Sequence, residues 1–206
     1  MGNTDIFDMM AINYDTPERI RIAKIISEAI RENLKDADKK EAIDFGCGTG
    51  LVGLNLLQDF KSILFLDSSP NMIAQINHKI KEYNITNADT LCLDLEKENI
   101  TSVGADYIIL AQVLLHIKDI ESVLAGLYDI LNAGGHIIIV DFIKNEAVVS
   151  DIVHNGFVQE ELLEIMTKTG FKENRFKPFY TGSKIFMNQD ATLFLLDSQK
   201  ELSSDL

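Results

Sequence analysis

Five short apolar runs recur between Glu41 and Phe142, and most are followed by a turn and a segment whose apolar residues return at helical spacing. The runs are Glu41–Phe45, Ser62–Leu66, Thr90–Leu93, Asp106–Ala111 and His136–Phe142. The helix-period segments between them are Leu51–Phe60, Pro70–Tyr83 and Ile117–Leu131. Strand and helix lengths in alternation leave few architectures, because crossover helices force the strands they join to lie parallel with right-handed connections. The fifth run is apolar nearly throughout, as a strand covered on both faces requires. A further helix precedes the series, over Pro17–Leu34. Thr16 caps it, Pro17 takes its first position, and Ile20, Ala23, Ile26, Ala29, Ile30 and Leu34 trace its apolar face.

The end of the chain departs from the pattern. A helix over Gln159–Lys168 stops at Gly170, and two candidate strands follow, around Phe171–Tyr180 and Ala191–Leu196. The stretch Thr181–Asp190 between them has no helical period, so these strands pair antiparallel and the last one runs against the sheet. The expected fold is α/β: a Rossmann-like, doubly wound, seven-stranded sheet, mostly parallel with its last strand antiparallel, and helices on both faces. No repeat or linker divides the sequence, which reads as one domain over 1–206. Residues 1–19 form an N-terminal lid segment, 20–143 the core, and 144–206 a C-terminal helix with the antiparallel strand pair.

Charge and cysteine content narrow the partners. The chain carries 19 Lys and Arg against 32 Asp and Glu, a formal net charge of −13. Such a surface repels phosphate backbones and anionic lipid, which disfavours nucleic acid and membrane as partners. Cys47 and Cys92 form no CxxC or Cys/His cluster, so no metal site is expected. The N-terminus has no signal-peptide pattern, and no apolar run approaches the roughly 18 residues of a spanning helix. A cytoplasmic location is the expectation.

In doubly wound sheets ligands bind beyond the carboxyl ends of the strands. Four features fall at such ends: Asp44-Phe-Gly-Cys-Gly-Thr-Gly50, Asp67, Asp94, and Gln112–His116. Glycines let the backbone turn sharply and approach a ligand closely. Two ligands fit this loop. Gly48, Gly50 and Gly53 satisfy the dinucleotide pattern GxGxxG, but in that pattern the first glycine directly follows the strand, and here that residue is Gly46. Asp67, 21 residues after Gly46, suits the ribose hydroxyls of either ligand. Asp94, followed by apolar Leu95, suits an adenine edge. Taken singly, Asp67 and Asp94 also read as helix N-caps, Met72 as core, Tyr14 as a staple beside the first helix, and Cys47 and Cys92 as fillers.

Five segments together resemble the class I S-adenosylmethionine-dependent methyltransferases, particularly small-molecule enzymes of the type seen in quinone biosynthesis. They are Ala42–Leu57, Leu64–Ile73, Leu91–Leu95, Asp106–His116 and Ala133–Asp141, in the family's order. The opening Phe7-Asp8…Ala11…Tyr14-Asp15…Pro17-Glu18-Arg19 is similar as well. The resemblance implies S-adenosyl-L-methionine as cofactor, S-adenosyl-L-homocysteine as product and a small-molecule acceptor. It further implies that Asp44 and the backbone from Gly46 through Cys47 and Gly48 to Gly50 surround the methionine part. Asp67 would hold the ribose, while Ser68 and Met72 would line the adenine. Asp94 and the Leu95 amide would meet the adenine edge, the backbone at Ala111 or Gln112 the methionine ammonium, and Tyr14 would close over the whole.

Methyl transfer needs alignment and exclusion of water, and a base only where the acceptor is a hydroxyl or an acidic carbon. His116, after strand four, and His154, in Val153-His-Asn-Gly-Phe157, are the candidate bases, each weighed against a structural or solvated role. His78 and His136 are weaker candidates. The Asn/Asp-Pro-Pro-Tyr signature is missing after strand four, which argues against nucleobase amines and glutamine amides as acceptors. A nicotinamide-dependent oxidoreductase and a non-catalytic cofactor-binding relative are the alternatives. Residues Asp5–Arg19 make only a marginal helix alone and are expected to order when cofactor binds.

Overall fold

The computed structural model describes residues 3–94 and 103–202. They form two compact units, Met1–Asn99 and Ile100–Leu206. In the first, β1 (Glu41–Phe45), β2 (Ser62–Asp67) and β3 (Ala88–Cys92) lie parallel in the order β3-β2-β1. Phe45 stands beside Leu66 and Asp67 beside Cys92, so the carboxyl ends of the three strands are level. Helices α1 (Asn3–Met10), α2 (Pro17–Arg31), α3 (Gly53–Leu56) and α4 (Pro70–Glu82) complete the unit.

Thr16 caps α2 as expected, accepting from the Arg19 N–H at 3.3 Å. The buried face of α2 is Ile22, Ala23, Ile26, Ser27 and Ile30. Ile20, assigned to that face from periodicity, is instead 39% exposed. Ser27 disguised the true face. Its hydroxyl is satisfied by the Ala23 carbonyl at 2.7 Å, so a polar residue sits where the pattern called for an apolar one. The helix expected over Leu51–Phe60 shrinks to the four residues of α3. No side chain caps its start, and Gly53 is a poor helix former.

In the second unit, β4 (Ala105–Ala111) and β5 (Leu131–Phe142) are parallel, with α5 (Ile120–Ile130) between them in the chain. Asp119 caps α5, taking the Ser122 N–H at 3.1 Å. Helix α6 (Gln159–Thr169) ends at Gly170, whose φ of 114° is the left-handed turn that a glycine supplies. Strands β6 (Lys172–Phe186) and β7 (Gln189–Gln199) follow. The linker expected over Thr181–Asp190 is mostly strand. The two strands meet in a tight hairpin with Met187 and Asn188 both at positive φ, 47° and 62°. That pair of left-handed residues matches the strand twist of a two-residue turn, and its Met-Asn sequence carries no glycine to announce it.

Strand β7 runs antiparallel to both β5 and β6. The seven strands, mostly parallel and flanked by helices as the alternating pattern predicts, run β3-β2-β1 in the first unit and β4-β5-β7-β6 in the second. Ile137 to Val140 are 0% exposed, so β5 is covered on both faces. Among the described residues no helix is long and apolar enough to cross a membrane.

Candidate functional site

The first unit gathers most of the expected cofactor residues at the carboxyl ends of β1 and β2. Asp44 lies inside β1, 2% exposed, and accepts the Gly53 N–H at 3.1 Å. Burial pushes its carboxyl up to about 7, with the Gly53 bond opposing and the Asp67 charge adding to the shift. A Cβ at Gly53 would overlap both the Asp44 carboxylate and the Phe65 ring, so glycine is what lets α3 close on β1.

Between them runs the loop Gly46–Gly50. Gly46, Gly48 and Gly50 have φ of 66°, 54° and 80°, the left-handed region that side chains disfavour. The loop spends its amides on the protein. Gly46 and Cys47 donate to the Leu66 carbonyl at 2.8 and 3.0 Å, Gly50 donates to the Cys47 carbonyl at 2.8 Å, and Gly48 donates to the Asp67 carboxylate at 2.8 Å. What these four residues offer a ligand is therefore a close, bare backbone surface. The Cys47 thiol is pushed well above its ordinary range by burial, which keeps it a filler rather than a nucleophile.

Asp67 ends β2 half-buried and also takes the Ser69 N–H at 2.8 Å. Burial raises its carboxyl despite these bonds. An ionised carboxylate has about four acceptor sites, so the Gly48, Ser69 and Ser68 N–H groups leave capacity for a ribose hydroxyl. Just beyond β3, the Leu93 N–H reaches the Asp67 carbonyl at 3.0 Å, which brings half-buried Asp94 to the same end of the sheet. Leu95 lies outside the described residues. Ser69, not Ser68, caps α4, taking the Met72 N–H at 3.1 Å. Ser68 is half-buried, and Met72 is 0% exposed, packed in the core of this unit.

Tyr14 stands over the loop: a Cβ built on Gly48 would lie 3.7 Å from the ring. The Arg19 guanidinium covers the Tyr14 ring at 4.2 Å and donates to its carbonyl at 3.1 Å. The segment carrying Tyr14 is docked at two points. Asp8 accepts from the Ser69 hydroxyl (2.7 Å) and the Asn71 N–H (3.0 Å), and Asp15 pairs with Lys79 at 2.7 Å and accepts from the Thr49 hydroxyl. Lys79 also donates to the Thr49 carbonyl at 2.7 Å. Asp8 and Asp15 belong to the opening segment that resembles the family but have no role assigned there, and Lys79 lies outside every motif, because their bonds span 30 to 64 residues of sequence.

The second unit brings Ala111, Gln112, His116 and His154 together. Ala111 ends β4, and Gln112 follows at φ 58°, a left-handed conformation that costs a non-glycine residue about 1–3 kcal/mol. Its N–H donates to the Val140 carbonyl at 2.7 Å. His116 closes a short turn over Leu114–His116 and is half-buried. Burial lowers it to about 4 against a hydrogen bond with the Ile152 backbone, so it is neutral at pH 7. His154 is exposed. Its N–H donates to the Leu115 carbonyl at 2.8 Å and its Nε2 to the Ile117 carbonyl at 2.7 Å. The other two histidines are placed elsewhere: His78 lies 3.6 Å from Glu82 on an exposed helix face, and buried His136 meets Asp197 at 2.7 Å.

Sequence reasoning passed over Asp141. It is 0% exposed near the end of β5, where it accepts from the Phe142 N–H at 2.8 Å and the Leu115 N–H at 3.2 Å. Its signal is a carboxylate in an otherwise apolar strand, a setting it shares with Asp44. Among the described residues no group of three or more His, Cys, Asp or Glu could hold a metal ion.

Residues 43–137 match the family model described as a methyltransferase domain. The stretch from β1 into β5 is thus similar to a methyltransferase domain. An uncharacterized methyltransferase of Schizosaccharomyces pombe is 24% identical over 195 residues, 75% of this chain and 67% of that protein. The probable polyketide synthase 41 of Dictyostelium discoideum is 24% identical over 90% of this chain, which spans only 8% of that protein. Among solved structures, an S-adenosylmethionine-dependent methyltransferase from Aquifex aeolicus aligns with a TM-score of 0.71 and 14% identity, over 93% of this chain and 97% of that one. Phosphoethanolamine N-methyltransferase 2 of Haemonchus contortus, solved with S-adenosyl-L-methionine, aligns at 0.69 and 15% identity, over 85% of this chain and 52% of that one.

Proposed function

We propose that the protein transfers a methyl group from S-adenosylmethionine to a small-molecule acceptor, in the manner of the quinone-biosynthesis type of enzyme. The observation that carries the reading is the Asp67 carboxylate at the end of β2, bonded to Gly48 and Ser69 beside a bare glycine loop and beneath Tyr14. These residues fit the cofactor. The glycine loop leaves space that a side chain would fill, and Asp67 keeps acceptor capacity for a ribose hydroxyl. Asp67 would hold the ribose, the loop Gly46–Gly50 with Asp44 would face the methionine part, and Asp94 with Ser68 would face the adenine. Met72 supports that wall from the core.

When bound, the cofactor supplies a methyl carbon activated by a positively charged sulfur. The protein's own work is to align and to exclude water. Residues 1–19 serve as the lid, with Asp8 and Asp15 as latches and Tyr14 as the covering ring. On the acceptor side, the Ile117 carbonyl fixes the proton of His154 on Nε2, leaving the Nδ1 lone pair to take a proton from the acceptor. His116, neutral at pH 7, lies in the turn beside it.

Titration calorimetry tests the reading. S-adenosyl-L-homocysteine is expected to bind and NAD not to, and Asp67→Ala is expected to weaken binding about 10- to 100-fold, the range for a hydrogen bond to a charged group. Heat with NAD and none with the homocysteine product would overturn it. Transfer of labelled methyl to no member of a broad panel of small molecules would overturn the acceptor class.

A further inference from the structure

We propose that Asp141 is a positioning residue: its carboxylate sets the Leu114–His116 turn and, through Leu115, the orientation of the His154 imidazole. The inference rests on the reading of His154 as the acceptor-side base.

Leu115 is bonded through both ends of its own backbone. Its N–H donates to Asp141 Oδ2 at 3.2 Å, and its carbonyl accepts the His154 N–H at 2.8 Å. Two residues on, the Ile117 carbonyl takes His154 Nε2 at 2.7 Å. Both carbonyls that orient His154 therefore lie in, or directly after, the turn that Asp141 grips. The grip has a second point: Val140, the neighbour of Asp141, accepts the Gln112 N–H at 2.7 Å. Consecutive residues of β5 thus clamp the segment from Gln112 to Leu115 on both flanks, and Gln112 stays at its left-handed φ of 58° between them.

The loop that carries His154 is closed at its base by the same strand. Phe157 donates to the Phe142 carbonyl at 2.9 Å, Lys144 to the Phe157 carbonyl at 3.0 Å, and Asn145 to the Asn155 carbonyl at 2.8 Å. Its base is tied to the exit of β5 and its histidine to the turn above Asp141. A fully buried carboxylate is costly, and an apolar residue would serve simple packing better. What Asp141 adds is directional: its two oxygens collect main-chain N–H groups from β5 and from the turn. It acts on the imidazole through a peptide unit rather than by touching it.

The test uses the four histidines as internal probes, in full-length protein labelled with 15N at histidine. The wild-type protein is expected to show the neutral His154 ring as a single Nε2–H tautomer. In Asp141→Asn the new amide presents donors to the Leu114 and Leu115 N–H groups. There His154 is expected to lose the single-tautomer pattern and His116 to shift, while His78 and His136 keep their signals. Unchanged His116 and His154 signals in a folded variant would overturn the proposal, and so would equal shifts in all four. Native-state amide exchange of the unmodified protein gives a measure independent of the variant. The Leu115 and His154 amides are expected to open together as one unit, and a His154 amide that exchanges freely while Leu115 stays protected overturns the clamp. Calorimetry with S-adenosyl-L-homocysteine separates the two claims. A protein with coupled histidines that binds none loses the functional reading and keeps the clamp; a protein that binds it with uncoupled histidines does the reverse.

Discussion

The Gly48 N–H donates to Asp67 at 2.8 Å, so the glycine loop after β1 and the acidic end of β2 hold each other in place before any ligand arrives. The bond means that Asp67 is pre-oriented and that its substitution has two consequences. Asp67→Asn is expected to lower affinity for S-adenosyl-L-homocysteine about tenfold or more, because a charged acceptor is replaced by a neutral one. Amide exchange at Gly48 is expected to rise in the same variant. Calorimetry and exchange mass spectrometry check the pair.

Gly48 and Gly53 are glycines for different reasons, and alanine separates them. Gly48→Ala places a Cβ at φ 54° and is expected to cost about 1–2 kcal/mol by backbone strain alone, since the Tyr14 ring lies at ordinary contact distance. Gly53→Ala drives a methyl group into Asp44 and Phe65 and is expected to cost about 1–3 kcal/mol by overpacking. Urea denaturation measures both. A stabilised Gly53→Ala would show that α3 is free to move away from β1.

Asp44 gives the stability curve a defined slope. Burial holds its carboxyl near 7 against an ordinary value of 3.8, so the folded state binds a proton that the unfolded state releases between those values. Its contribution to stability is full below the ordinary value and is lost as pH rises through about 7. Asp44→Asn mimics the protonated form and still accepts from Gly53. Its stability relative to wild type is therefore expected to rise between pH 5 and pH 8, as read by urea midpoints.

The strap over the loop depends on Asp8. Removing its bonds to Ser69 and Asn71 in Asp8→Ala is expected to speed amide exchange across residues 7–14. In the wild-type protein, S-adenosyl-L-homocysteine is expected to slow exchange at Phe7–Tyr14. No change on addition of the ligand would mean that the strap does not respond to the site beneath it.

Once an acceptor is in hand, His154→Ala is expected to lower kcat about 10²- to 10⁴-fold while leaving affinity for S-adenosyl-L-homocysteine unchanged. An unaltered kcat would mean that the acceptor needs no base.

The alternation of strand and helix was legible because period and length are local properties. It placed β1 to the residue and put the reversed strand near the end of the chain. Local signals failed where a distant group satisfied a residue. Ser27 is hidden by the Ala23 carbonyl, and Met187-Asn188 turns without glycine. Asp8 and Asp15 find partners more than sixty residues away.

The sequence by itself determined that acidic and glycine-bearing strand ends would recur in one doubly wound sheet, because hydrophobic periodicity and backbone freedom are written residue by residue. Only the tertiary structure decided which groups those ends would engage. It spent the loop's amides on Leu66 and Asp67, sank Met72 into the core, and gave buried Asp141 a turn to hold. Hydrogen-bond partners and burial are properties of the packed chain, settled when remote segments meet and water leaves.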